Sequence, residues 1–415
     1  MRICILSYRS YTYSGGQGVY LRYLSRALRD LGHEVDIVSG LPYPELDEGV
    51  NLIKLPSLDL YSMSSIRRLF INPRKLNSWP SVVEWLGSMT GYFSEPLAFG
   101  MRAYNLLRDS QQKKYDIIHD NQTMSYGVLK LRELGYPVVE TIHHPVTIDR
   151  DLAVKATTSI RHKLGLKRWY SFIGMQIKVA RRLSHIIAVS EVAKEHIAHV
   201  FQIPTEKLRV IYNGIDTDLF SPSEKVPRLE NKLLAVISRD TAVKGLRYLL
   251  EALATLRQKH DLELAVIGNT LGDGVTEKHI SRLGLQDYVR FTDQLDTAEL
   301  VRQYRQATIT VVPSIYEGFG LPAAEAMACG CPVVCTTAGA LPEVVGDDGI
   351  MVPPADVQSL ANAIGSLIEN PDKRKRLAEM GRQRIVEKFN WQTTAKQTLA
   401  VYTEAIEFQK RLSAS

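Results

Sequence analysis

Short runs rich in Ile and Val alternate along this chain with segments of helical period, and they do so twice over. In the first half the runs are Arg2–Tyr8, Glu34–Gly40, Asn51–Pro56, Asp116–Asp120, Val138–His143, His185–Ser190 and Arg209–Asn213. Helical periods such as Gly18–Leu31 and Met124–Leu134 lie between most of them. Nearly unbroken hydrophobicity marks strands buried on both faces, and strand–helix alternation builds a parallel, doubly wound sheet. The second half repeats the rhythm with strands over Lys232–Ser238, Leu262–Gly268, Val289–Thr292, Ile309–Ser314, Pro332–Thr336 and Gly349–Val352. Its helices fall over Gly245–Gln258, Thr276–Leu283, Thr297–Ala307, Leu321–Ala328, Val357–Glu369 and Pro371–Lys388. The fold class is therefore α/β, with two Rossmann-like domains in tandem, 1–213 and 214–388. A closing segment, 389–415, carries a helix over Gln392–Lys410. The join, Asn213–Asn231, holds turn residues and no helical period. Ser57–Phe99 is the least regular stretch, and its aromatics and prolines predict an insertion at a cleft mouth. Ligands of open α/β sheets bind beyond the carboxyl ends of the strands, so the loops there carry the function.

At 415 residues, 45% hydrophobic and 23% charged, the chain has ample material for buried cores. It contains no long uninterrupted apolar run of membrane-spanning length, and MRICILSYRS reads as a strand rather than a secretory leader. Four cysteines exclude a disulfide scaffold; Cys329, Cys331 and Cys335 have C-x-C-x3-C spacing and read as small core residues. The expected location is cytoplasmic. The net charge of +6 is unevenly divided. Up to Asn213 the chain holds 28 Lys and Arg against 19 Asp and Glu; the remainder holds 23 against 26. The basic first half should meet something acidic, unless the imbalance is only uneven surface charge.

Four loops carry the chemistry. SIYEGFGLPAAEAMACG, Ser314–Gly330, follows a strand and opens a helix. Gly318 and Gly320 let the backbone approach a ligand, Pro322 suits the first helical turn, and the free N–H groups there suit a phosphate. Glu317 and Glu325, eight positions apart, should face one cleft, where a carboxylate can accept from a sugar diol. In SRDTAVKG, Arg239 and Lys244 stand at a strand end before a helix and would clamp a diphosphate. YSGGQGVY, Tyr13–Tyr20, matches neither dinucleotide fingerprint nor P-loop, yet Gly15, Gly16 and Gly18 allow close backbone approach. In ETIHHP, His143 ends a strand and could donate to a sugar hydroxyl or phosphate oxygen. The Asp216–Asp218 pair has no second acidic or histidine cluster near it, so no metal site is expected.

Together these loops resemble the retaining glycosyltransferases of family 4, which have the GT-B fold. EGFGLPAAE matches their E-x7-E motif, Arg239 and Lys244 their R-x4-K pair, and GGQG, NGID and FNW at Phe389–Trp391 extend the match along nearly the whole chain. The resemblance implies two domains facing across a cleft and a last helix crossing back to the first. It implies that Glu317 contacts the donor sugar near the reacting centre and that Glu325 holds the ribose diol. Arg239 and Lys244 would bind the diphosphate and stabilise the leaving group. Gly318, Phe319, Gly320 and Leu321 would line sugar and phosphate, Gly16 would lie against the diphosphate, and His143 would meet the sugar's 6-hydroxyl region. His144 stands where the family more often has a small or acidic residue.

The implied reaction is metal- and cofactor-independent transfer of a hexose from a nucleotide-diphosphate sugar, UDP-hexose first and GDP-mannose second. Retention could proceed through a carboxylate intermediate or by same-face attack; no far-face acid stands out, which favours the latter. The acceptor would be lipid-linked or a saccharide. Arg161–Leu183 holds seven Lys and Arg, no acid, and interleaved Leu164, Leu166, Trp169, Tyr170, Phe172, Ile173 and Met175. It is either a surface for an anionic membrane, making the protein peripheral on the inner face, or a helix whose apolar side is core. An epimerase needs no R-x4-K with E-x7-E, and a nucleic-acid or membrane module would leave Glu317, Glu325 and the glycine loops idle. No nucleic-acid partner is expected.

Overall fold

The computed structural model of the chain describes all residues except 11–15, 61–62, 64–67, 69, 110–113, 240, 271–273, 294 and 415, and leaves aside the side chains of Ala156, Ser238 and Arg239. The glycine-loop residues Tyr13, Ser14 and Gly15 and the Arg239 side chain thus lie outside the described residues. Two compact units divide the chain. Unit 1 is Met1–Val189, Lys194–Ile211 and Thr394–Ser415; unit 2 is Ser190–Ala193 and Tyr212–Thr393.

Unit 1 is built on a seven-stranded parallel sheet. Its strands are β1 (Arg2–Ser7), β2 (Glu34–Ser39), β3 (Asn51–Lys54), β4 (Ile117–Asn121), β5 (Val138–Ile142), β6 (Ile186–Ala188) and β7 (Leu208–Val210). The spatial order is β3-β2-β1-β4-β5-β6-β7, so the direction of winding switches between β1 and β4. Central β1 is shielded on both faces; Ile3, Cys4, Ile5 and Leu6 are fully buried, which is why its sequence shows no alternation. The irregular stretch proves more ordered than its composition implies: helices Trp79–Thr90 and Glu95–Arg108 form there. Both start with Pro at the first or second position, where a missing N–H costs no intrahelical bond.

Unit 2 holds a six-stranded parallel sheet of β8 (Lys232–Arg239), β9 (Glu263–Asn269), β10 (Val289–Thr292), β11 (Ile309–Val312), β12 (Val333–Thr336) and β13 (Ile350–Val352). The order is β10-β9-β8-β11-β12-β13, with the switch between β8 and β11. Its core joins Leu233, Ala235, Val266, Ile309, Val311 and Val334 of the strands to Leu249, Leu253, Leu360 and Ile364 of the helices. Cys4, Cys329, Cys331 and Cys335 are all buried and free. Burial pushes the Cys335 thiol up to about 12, so these are core residues.

The last helix, Trp391–Ala414, is longer than its periodicity predicts and enters unit 1 from Thr394 onward. Tyr402, fully buried, pairs through its hydroxyl with His119 Nδ1 of β4 at 2.6 Å. Among the described residues no helix is long and apolar enough to cross a membrane.

Candidate donor and sugar-reading sites

In unit 2 the site grows from the ends of β8 and β11. After β11 the chain leaves the sheet at Pro313 and runs through Ser314 to Glu317 before the helix Leu321–Ala328. Gly320, at φ +99°, is the N-cap that turns the chain into that helix, a conformation open chiefly to glycine. Glu317 is only 8% exposed. Its Oε1 accepts from Lys244 Nζ at 2.6 Å and from Ser314 Oγ at 2.8 Å. Lys244 reaches it because the short turn Ala242–Lys244 is tied to the same loop: Ile315 N donates to the Val243 carbonyl at 2.7 Å. Gly245, at φ +65°, then enters the helix Leu246–Leu256 with no room for a Cβ, which would lie 2.0 Å from the Pro313 carbonyl oxygen.

The Glu317 backbone is gripped from the other side. Ala340 N donates to its carbonyl at 2.9 Å, and a Cβ on Gly339 (φ +58°) would sit 2.0 Å from that oxygen. The Gly318 carbonyl accepts from Ser190 Oγ at 2.8 Å. Phe319 is buried, its ring edge-to-face with Phe389. Glu317 is thus held at main chain and side chain alike, as a group that must keep its place during a reaction would be.

Glu325 lies on the helix Leu321–Ala328 and is held separately. Tyr304 donates its hydroxyl to Glu325 Oε2 at 2.9 Å. Burial raises the Glu325 carboxyl to about 7, the Tyr304 bond pulling the other way. The structure therefore joins Glu317 with Lys244 and Ser314, and Glu325 with Tyr304. Arg239 ends β8 with its backbone in register with Asn269. Asp216 Oδ1 accepts from Leu219 N, a turn-forming role. Among the described residues no group of three or more His, Cys, Asp or Glu is placed to hold a metal ion.

In unit 1, Gly16 begins the helix Gly16–Asp30 and is exposed. His143 follows β5 and is 8% exposed. Its Nε2 lies 2.7 Å from Asn121 Oδ1, and its main-chain N–H donates to Gln122 Oε1 at 2.6 Å. The Tyr20 ring stands edge-on to the imidazole at 4.8 Å. Burial, with His144 and His119 nearby, lowers the imidazole pKa to about 3, so His143 is neutral. His144 pairs with Asp149 at 2.8 Å.

Beneath this loop sits a buried acid pair. Asp120 Oδ2 accepts from Met124 N at 2.7 Å, and Glu140 Oε1 from Gln122 N at 3.1 Å. The two carboxyls bond to each other, and burial holds the Glu140 pKa well above the carboxylate range. One shared proton therefore satisfies both. The pair fixes the Gln122 and Met124 main chain, whose φ values are +60° and +47°.

The basic stretch divides. Phe172, Ile173 and Met175 are buried in unit 1, while Ile160 and Leu164 of the helix Ile160–Trp169 are exposed.

Glycosyl transferases group 1 match residues 218–384, and Glycosyltransferase Family 4 matches residues 14–219. An MMP alpha-(1->4)-mannosyltransferase of Mycolicibacterium hassiacum is 44% identical over 410 residues, 98% of each chain. The chain belongs to the family 4 glycosyltransferases. Sucrose-phosphate synthase of Thermosynechococcus elongatus superposes on this glycosyltransferase with TM-score 0.75 at 23% identity, over 100% of both chains. HepE of Anabaena, in complex with UDP-glucose, does so with TM-score 0.71 at 20% identity, over 97% of this chain and 100% of its own. These likenesses, with the two parallel-sheet domains, give the glycosyltransferase the GT-B fold.

Four residues around these positions escape sequence reasoning: Ser314, Tyr304, Asn121 and Gln122. Only Gly339, in TTAGALPE, carries a visible signal, since a lone glycine between a strand and a helix marks a close backbone approach.

Proposed function

We propose that this glycosyltransferase moves mannose from GDP-mannose to a saccharide acceptor, retaining the α configuration and using no metal ion. The observation that carries the sugar is the 44% identity, along 98% of both chains, to an alpha-mannosyltransferase. It puts GDP-mannose ahead of UDP-hexose. UDP-hexose stands second, favoured by the UDP-glucose held by the Anabaena neighbour.

Lys244 and Arg239 take the diphosphate, and charge building on the leaving group is stabilised there more than in the ground state. Lys244 already bonds Glu317, so the lysine is pre-positioned. Glu325 accepts from the ribose diol, and Gly318, Phe319, Gly320 and Leu321 line sugar and phosphate, with Gly16 against the diphosphate. His143 meets the sugar's 6-hydroxyl. Same-face attack, with the departing phosphate taking the acceptor proton, gives retention. A saccharide acceptor is preferred to a lipid-linked one because Phe172, Ile173 and Met175 of 161–183 are buried in the unit 1 core, with Leu164 left outside.

Calorimetry with GDP-mannose and UDP-glucose, in chelator, on wild type and Glu325→Ala, tests this. Tight binding of GDP-mannose that is weakened in the variant supports it. Binding of UDP-glucose alone would move the second donor to the front, and binding of neither would remove the donor site.

A further inference from the structure

The two acids of the Ser314–Gly330 segment are held by different chemistry. Glu317 takes a cation and a hydroxyl on one oxygen, from Lys244 Nζ and Ser314 Oγ. Glu325 has no such cation. Among the described residues its carboxyl takes one side-chain bond, from the Tyr304 hydroxyl to Oε2 at 2.9 Å, and no ion pair. A buried carboxylate with neither cation nor hydrogen bond reverts to the neutral acid. The charge on Glu325 therefore rests on the phenol.

Tyr304 is built to hold still. It is fully buried on the helix Thr297–Gln306. Its ring stands edge-on to Phe220, the centroids 6.2 Å apart. Its neighbours on the last turn of the helix are tied down as well. Lys232 Nζ donates to Gln303 Oε1 at 2.5 Å and to Gln306 Oε1 at 3.3 Å, and Arg305 Nε donates to the Ser221 carbonyl at 2.6 Å. The hydroxyl thus reaches Glu325 from a fixed ring, with the geometry set before a ligand arrives. All of these residues belong to unit 2.

The other titratable groups around the pair do not replace the phenol. Cys329 and Cys331 lie beside Tyr304, and burial pushes the Cys329 thiol above its usual range, so it stays neutral. Of the two cations that act on Cys329, Arg305 is committed to the Ser221 carbonyl. Arg382 is committed to the Phe220 and Ala328 carbonyls, at 2.7 and 2.8 Å.

We propose that Tyr304 is a positioning residue of the donor site: its hydroxyl holds Glu325 ionised through Oε2 and leaves Oε1 to the ribose diol of the nucleotide sugar. A hydrogen bond to an ion is stronger than one to a neutral acid, so the phenol favours the carboxylate where burial favours the acid. Removing the hydroxyl should move the pH at which donor binding sets in. The assignment rests on Glu325 meeting the ribose, as proposed above.

Two measurements test it on the full chain. Carbon-13 NMR of the ligand-free protein, labelled at the glutamate carboxyl carbon, reads the titration directly, with the Glu325 signal identified by difference against Glu325→Gln. The wild-type midpoint should lie near 7. In Tyr304→Phe, which keeps the ring against Phe220, it should rise by about one to two pH units. Calorimetric binding of GDP-mannose across the same range should follow: Tyr304→Phe about tenfold weaker than wild type at pH 7, with the gap closing above the raised midpoint. Equal midpoints in the two proteins, or a loss of affinity that is the same at every pH, overturn the proposal.

The double variant separates the hydroxyl from the ring. In the Glu325→Gln background there is no charge to hold, so adding Tyr304→Phe should weaken GDP-mannose binding by less than about threefold. A full tenfold loss there would show that Tyr304 acts through packing alone and would also count against the proposal. A wild type that binds neither GDP-mannose nor UDP-glucose would sink the ribose assignment instead, while the carboxyl signal still decides whether Tyr304 holds the charge.

Discussion

Lys244 Nζ donates to Glu317 Oε1 at 2.6 Å, so the cation assigned to the leaving group and the acid assigned to the sugar are one bonded pair before any ligand arrives. Lys244→Met removes the cation and leaves Glu317 with Ser314 as its remaining side-chain donor among the described residues. We expect kcat to fall by about 10²–10³, the loss typical of removing one preorganised charge-stabilising group. Steady-state kinetics checks this; a loss within a few-fold would mean that Lys244 does not serve the leaving group.

On the proposed role, Glu325 accepts two ribose hydroxyls as the carboxylate, and burial holds its carboxyl at about 7. Affinity for GDP-mannose, whose diphosphate diester does not titrate in this range, should therefore rise as pH rises through 7. Glu325→Gln should bind weakly with a flat profile over the same range. Calorimetry between pH values on either side of 7 reads both.

The same carboxyl links stability to pH with the opposite sign. Its folded pKa is raised, so its contribution is fully present below the unfolded value of 4.5 and is lost as pH rises through about 7. At mildly alkaline pH the ligand-free Glu325→Gln protein should be more stable than wild type, by up to the order of 3 kcal/mol. Denaturant melts at acid and alkaline pH measure the difference; equal slopes for the two proteins would contradict it.

Gly339→Ala should disturb Glu317 from a distance in sequence. The added Cβ would lie 2.0 Å from the Glu317 carbonyl oxygen, at a φ of +58° that alanine adopts at a cost. Both the thermal midpoint and kcat should drop. Gly135→Ala serves as the control: its φ is also positive, +86°, but nothing lies within 4 Å of its Cβ, so it should leave kcat unchanged.

Tyr402→Phe removes the hydroxyl that pairs with His119 Nδ1 and strands that nitrogen in the core. The expected cost is about 1–3 kcal/mol, with the polar chain His119–Thr141–Tyr20 left open at one end. Chemical denaturation measures the loss, and a change below the range would mean that the ring finds another partner.

Both sheets were legible because strands buried on two faces write themselves as unbroken apolar runs. The segment around Glu317 was legible because glycines, a proline and two acids fall at fixed offsets beside a helix start. What stayed hidden was long-range. Tyr304 is an ordinary helical tyrosine in sequence, and only packing brings its hydroxyl to Glu325. Asn121 and Gln122 have no local signature, because their partners lie on β1, β5 and the first helix. The aromatics of 161–183 could not be divided into core and surface by periodicity, since a helix on a core and a helix on a membrane show the same stripe. The helices Trp79–Thr90 and Glu95–Arg108 were obscured by prolines that turned out to sit in their first turns.

The Tyr402–His119 bond also sets a timetable for synthesis. Residues Thr394–Ser415 belong to unit 1 but leave the ribosome only after the whole of unit 2 has been made. Until then β4 carries a buried histidine with one nitrogen unanswered and an uncovered face where the last helix will lie. Unit 2, apart from Ser190–Ala193, is contiguous and can complete its sheet first. A chain truncated after Thr393 should therefore show a protease-sensitive unit 1 beside a resistant unit 2.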